Sequence, residues 1–193
     1  ILYASNVDEQ DSYIKAAESK GYKVLLLDSP IVPHLIQKLE SKKENISFAR
    51  VDSDSIDNLI KKEDNIISKL DDKEKDKLKT YIEAVIPKEK YTIQLEALDS
   101  KELPFIITQP EFMRRMKDMQ QSGGNNMFGS MPEIHNVIIN VNNDLVNTIF
   151  NSKSKAKRER LIKQSLDLAR LSQNLLKGEE LTSFIKRSFD IIK

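Results

Sequence analysis

Leucine recurs every seven residues at Leu161, Leu168 and Leu175, and a second series runs beside it at Ile162, Ala169 and Leu176. A seven-residue apolar repeat keeps its side chains on one helical face. Two adjoining seams make a stripe wider than one partner helix can cover. The pattern predicts a helix over about 155–177 and a second over about 179–192, separated by Gly178. The second helix adds Leu181, Phe184, Ile185, Phe189 and Ile192. Two helices with this much apolar surface cannot cover each other. They must either bury it on the chain's own sheet or pair with a second hairpin in a four-helix bundle, most simply as a homodimer. The dimer is the favoured reading, with Leu161, Ile162, Leu168, Ala169, Leu175, Leu176, Leu181, Phe184, Ile185 and Phe189 as its interface.

Upstream of the hairpin the chain divides near residue 68. The first part, 1–68, alternates strand and helix over residues 1–50. Ile1–Ala4 is a short apolar run, Tyr13, Ile14 and Ala17 share a helical face stopped by Gly21, and Tyr22–Leu27 is a continuous apolar run. The last is the signature of a strand covered on both faces. Leu35, Ile36 and Leu39 mark the next helix, with Pro33 tolerable only in its first turn, and Ile46–Val51 alternates again. The order βαβαβ predicts a small parallel sheet with helices packed on it. A charge-rich stretch over 52–77 links this subdomain to an α+β domain, 69–193. The latter carries a helix ended by Pro87 and strands over Tyr91–Leu98, Phe105–Thr108 and Ile134–Val141. A short helix capped by Asn142 or Asn143 precedes the hairpin.

The 193 residues hold 31 Lys+Arg against 30 Asp+Glu, so the net charge of +1 hides a dense mixture of both signs and exerts no general pull on nucleic acid or anionic membrane. With no cysteine, disulfides, thiolate metal sites and a cysteine nucleophile are excluded, and a reducing compartment is suited. The longest purely aliphatic run, Val24–Leu27, is too short to span a bilayer. No leader pattern opens the chain. It starts on Ile1-Leu2-Tyr3 rather than Met, so a longer parent is expected. Neither a phosphate-binding glycine loop nor a nucleophile motif is present. His34 and His135 stand in unrelated segments without a ligand at useful spacing. No catalytic residue, metal or cofactor is assigned to this chain.

Two segments rise above that background. All five methionines, Met113, Met116, Met119, Met127 and Met131, fall between 113 and 131. At helical spacing Phe112, Met116 and Met119 share one face with Met113 at its flank, while Arg114, Lys117 and Asp118 lie on the other side. The helix runs into Gln121-Ser122-Gly123-Gly124-Asn125-Asn126, which has no means of packing. One reading is a helix docked on a core. The other is a shape-tolerant surface for varied partners, which methionine suits; it predicts that 121–131 is the least ordered part of the second domain. The second segment is basic: Lys153, Lys155, Lys157, Arg158, Arg160 and Lys163 crowd a helix start. A solvated helix entry is favoured there over a nucleic-acid or acidic-partner patch on 153–163, because no aromatic residue is interleaved to stack bases.

In order along the chain, several motifs are similar to the C-terminal part of the ninety-kilodalton heat-shock chaperones, most closely the bacterial high-temperature protein G type. Lys20-Gly21-Tyr22-Lys23-Val24-Leu25-Leu26-Leu27 followed by Pro30-Ile31 resembles the end of that family's middle domain. Leu103-Pro104-Phe105-Ile106-Ile107 followed by Phe112-Met113-Arg114-Arg115-Met116-Lys117 resembles its strand and amphipathic helix. Leu171-Ser172-Gln173-Asn174-Leu175-Leu176-Lys177-Gly178 resembles its long dimerisation helix and turn. The likeness implies a bacterial, cytoplasmic, ATP-driven homodimeric chaperone as parent. Its ATP and Mg would be held in an N-terminal domain outside this chain, so the piece itself would be no enzyme. The chain would supply the permanent dimer contact and part of the surface for unfolded or partly folded clients. The client residues implied are Phe112, Met113, Met116, Met119, Met127 and Phe128. Neither membrane nor nucleic acid is an expected partner.

Overall fold

In a computed structural model the chain is described over residues 1–60, 66–116 and 134–192. It forms two compact units. One comprises the described residues of Ile1–Lys62 and Thr108–His135, the other those of Glu63–Ile107 and Asn136–Lys193. Residues 108–116 thus group with the start of the chain, not with the rest of the expected 69–193 domain.

The first unit is the anticipated parallel sheet. Strands β1 (Leu2–Ala4), β2 (Leu25–Leu26) and β3 (Ala49–Arg50) lie in the order β2-β1-β3. Tyr3 pairs with Leu25 on one side and Arg50 on the other. Helix α1 (Val7–Ser19) starts where the Asn6 side chain accepts the N–H groups of Asp8 and Glu9 at 3.1 and 3.2 Å. It stops where Gly21 takes φ +83°, letting the Tyr22 N–H return to the Ala17 carbonyl at 3.1 Å. Helix α2 (Val32–Lys42) accepts Pro33 in its first turn. The apolar cluster is small: Tyr3, Val32, Ile36 and Phe48, with Leu27, Leu39 and Ile46 against it. One expectation fails here. The run Tyr22–Leu27 was predicted to be covered on both faces, yet Leu25 and Leu26 are about half exposed. The sheet order explains this, because β1 takes the centre and β2 the edge. A short helix, α3 (Ile56–Leu59), follows β3.

The second unit has a larger, continuous core. Helix α4 (Asp72–Glu83) opens with a reciprocal capping box between Asp71 and Glu74. Strands β4 (Tyr91–Glu96), β5 (Phe105–Thr108) and β6 (His135–Asn140) form a sheet in the order β4-β6-β5, and residues 137–140 of the central strand are buried. Between β5 and β6 lies helix α5, residues 111–116. Helices α6 (Asp144–Asn151), α7 (Lys155–Ser172) and α8 (Gly178–Ile192) complete the chain. Asn143 and Ser154 cap α6 and α7. Leu78, Ile82, Ile107, Val137, Ile139, Val146, Ile149 and Ile162 are almost or wholly inaccessible and belong to one cluster. Helix α7 ends at Ser172, five residues short of the expected 177; Asn174 adopts a left-handed φ of 53° and breaks it before Gly178 is reached.

Candidate interaction surfaces

Helix α5 is held by its polar side. Arg114 is 3% exposed; its guanidinium donates to the Tyr3 hydroxyl at 2.6 Å and to the Glu111 carboxylate at 2.5 and 3.2 Å. Arg115 forms a two-point pair with Glu40 at 2.7 and 3.1 Å, reaches Glu111 at 2.7 Å and donates to the Phe48 carbonyl at 2.6 Å. Arginine suits this work because its planar fork makes several fixed hydrogen bonds at once. Glu40, hydrogen-bonded by Arg115 and by the Phe48 N–H, is held below the usual carboxylate range. Burial pushes the Tyr3 phenol up.

Against that anchored side, Phe112 is 71% exposed and Met113 and Met116 are partly buried. Phe112 and Met116 border a pocket of about 220 Å³ that Pro33 and Ile36 of α2 also line. Helix α5 is docked, but through its arginines, and its aromatic residue points to solvent. The loose tether expected after residue 120, and the candidates Met119, Met127 and Phe128, lie outside the described residues.

The hairpin divides its two seams. Ile162, Ala169 and Leu176 are buried within this chain's own second unit, as are Leu166 and Phe184. Leu161 and Leu175 are partly buried against the same core, and Leu181 is partly exposed. Leu168, Ile185 and Phe189 remain 51%, 45% and 63% exposed. Of the ten residues expected to face a partner, Ile162, Ala169, Leu176 and Phe184 thus have little surface to offer one, because this chain's own unit covers them. Leu171, not singled out from sequence, joins the exposed set.

The basic stretch is partly engaged. Arg158 stacks 3.7 Å from the Tyr81 ring centre and donates to the Ser152 carbonyl at 3.1 Å, and Lys155 stands 3.8 Å from Glu159. Nothing in this arrangement favours the nucleic-acid reading. His34 is exposed on α2 and His135 partly buried on β6. Among the described residues no three His, Cys, Asp or Glu side chains are grouped to hold a metal ion, and no helix is long and apolar enough to cross a membrane. Sequence reading missed the ionic network of Asp167, Arg170 and Arg187 between α7 and α8. Its one signal was an aspartate set among leucines at Leu166 and Leu168 in a helix interior.

No family model matches the chain. Curated relatives do. It is 32% identical to the chaperone protein HtpG of Bacteroides thetaiotaomicron over 99% of this chain and 38% of that protein. It is 37% identical to HtpG of Porphyromonas gingivalis over 93% of this chain and 26% of that protein, and 31% identical to HtpG of Bacteroides fragilis over 99% and 38%. The class is that of the ninety-kilodalton heat-shock chaperones, represented here by a part and not the whole, since the chain spans less than two-fifths of these relatives. More narrowly, the chain belongs to the HtpG family.

Proposed function

We propose that this chain is the part of an HtpG-type chaperone that joins two copies through the α7–α8 hairpin and presents apolar surface to unfolded clients around α5. The observation that carries the reading is the set of four exposed apolar side chains, Leu168, Leu171, Ile185 and Phe189, on the two helices of the hairpin. Large apolar side chains stabilise by about 1.5–3 kcal/mol on full burial. These are already about half covered, so each contributes nearer the lower figure. Twofold symmetry applies every contribution twice, which brings the total to the same order as an association cost of about 4–15 kcal/mol. A second pair of helices laid on these side chains completes a four-helix bundle. The ATP and Mg of the full-length protein are assigned to the part of the parent outside this chain, and its place to the bacterial cytoplasm.

Phe112, with Met113 and Met116 beside it, offers a modest contact of tolerant shape, suited to weak binding of many extended chains. In a dimer one client meets two such surfaces and gains avidity. Light scattering of the chain tests the dimer: wild type should have twice the mass of Leu168→Asp, and a Leu168→Asp chain that stays dimeric at low micromolar concentration contradicts the assignment. For clients, Phe112→Ser with Met116→Ser should leave the dimer intact and reduce suppression of client aggregation by the full-length parent. Unchanged suppression would remove α5 from the client surface.

A further inference from the structure

Helices α7 and α8 meet through a polar ladder where two amphipathic helices would ordinarily place hydrocarbon. Asp167 is 5% exposed, and its carboxylate accepts from Arg187 of α8 at 2.5 Å and from Arg170 of its own helix at 3.1 Å. Arg187 also donates through Nε to the Gln164 carbonyl oxygen at 3.0 Å. The Gln164 amide nitrogen donates to the Ser188 hydroxyl at 2.9 Å. Arg170 reaches across the turn to pair with Glu180. Gln164, Asp167 and Arg170 stand three apart and so line one face of α7, while Glu180 and Arg187 stand seven apart on the facing side of α8. Along the chain, Leu168 follows Asp167, Leu171 follows Arg170, Phe189 follows Ser188, and Ile185 stands two residues before Arg187.

We infer that Asp167 is a positioning residue for the dimer surface. Its pairing with Arg187 fixes the rotation and register of α8 against α7, so that the four exposed side chains form one face for a second copy of this chain. The inference rests on the dimer reading. The reason is one of directionality. Apolar contact is non-directional, so a hydrocarbon seam between these helices would tolerate sliding and rotation, and one residue of slip turns a helical side chain by about 100°. A carboxylate gripped by two guanidinium groups has a narrow range of geometry. Burying ions in this way is costly and contributes little net stability compared with a hydrocarbon replacement. Its return is a unique arrangement of the surface beside it.

That contrast supplies the test. Asp167→Leu with Arg187→Met replaces the central ion pair by hydrocarbon of similar volume; Arg170 keeps Glu180 and the Leu175 carbonyl, and the partly exposed Gln164 keeps Ser188 and turns its carbonyl oxygen to water, so the unit folds with a melting temperature close to that of the natural chain. Its dimer dissociation constant, by analytical ultracentrifugation, should nevertheless rise at least tenfold. Because the natural chain lacks cysteine, spin labels at Lys163→Cys and Lys186→Cys report the hairpin alone when labelled chains are diluted into unlabelled ones. The distance distribution should be narrow in the natural pair and broad in the hydrocarbon pair. Phe189→Ala, which weakens the natural dimer, should weaken the hydrocarbon-pair dimer much less, since the four side chains are no longer aligned. A hydrocarbon pair that dimerises as tightly as wild type with an equally narrow distance overturns the role of Asp167 and leaves the dimer standing. A monomeric wild type overturns both.

Discussion

Strands β2 and β6 are both short and aliphatic, and they end in opposite environments. β6 lies at the centre of its sheet, with Val137, Ile138 and Ile139 wholly inaccessible, whereas β2 is an edge strand whose two leucines are about half exposed. The units around them differ in the same sense. The second is organised on a continuous apolar core running from α4 through the sheet to α7. The first has a small cluster and relies on charged side chains, Arg114 and Arg115 above all, to hold α5 in place. A directional anchor can hold a helix while leaving its apolar residues outside, and hydrocarbon packing cannot. The unit with the smaller core is therefore the one able to display Phe112.

The largest expected effect lies in the second unit. Leu78→Ala should cost about 2–5 kcal/mol, since a wholly buried leucine leaves a cavity in a core that relaxes only partly. Amide hydrogen exchange should show lost protection across α4 and the β4-β6-β5 sheet. Protection lost equally in α1 and α2 would mean that the two units share one cooperative core, and the contrast would break.

A somewhat smaller effect is expected from Arg114→Met, which strands the Tyr3 hydroxyl and removes one of the two arginines paired with Glu111. Leaving a buried polar group without its partner costs about 1–3 kcal/mol. The loss should appear as exchange in α1, α2 and α5, with α4 and β6 unaffected. No loss would show that α5 is held by apolar contact after all.

The smallest effect concerns acid. The Glu40 carboxyl titrates below its ordinary value of 4.5 because Arg115 hydrogen-bonds its charged form. The unfolded chain therefore binds more protons in that range. The stabilisation is fully present above pH 4.5 and is lost as pH falls through the lower folded value. Exchange protection of α2 should fall with pH in this window, and Glu40→Gln should flatten that dependence in the first unit while leaving the second unchanged. An identical acid response in both proteins would remove the Glu40–Arg115 pair from the stability of this unit.

What the sequence determined by itself is local. The caps at Asn6, Asp71 with Glu74, Asn143 and Ser154, the stop at Gly21 and the place of Pro33 each depend on groups within a turn of one another, so the chain states them directly. The parallel βαβαβ order and the apolar hairpin follow from periodicity in the same way. The division of the hairpin seams was not legible, because Ile162 and Leu168 are alike in chemistry and only the position of the sheet decides which is covered. The inward turn of Arg114 and Arg115 was hidden for a related reason. An arginine reads as a solvated residue until partners 111 and 75 positions away, Tyr3 and Glu40, are brought beside it. Burying a charge is favourable only when its counter-charge and hydrogen bonds are already in place, and for these residues only the tertiary fold supplies them.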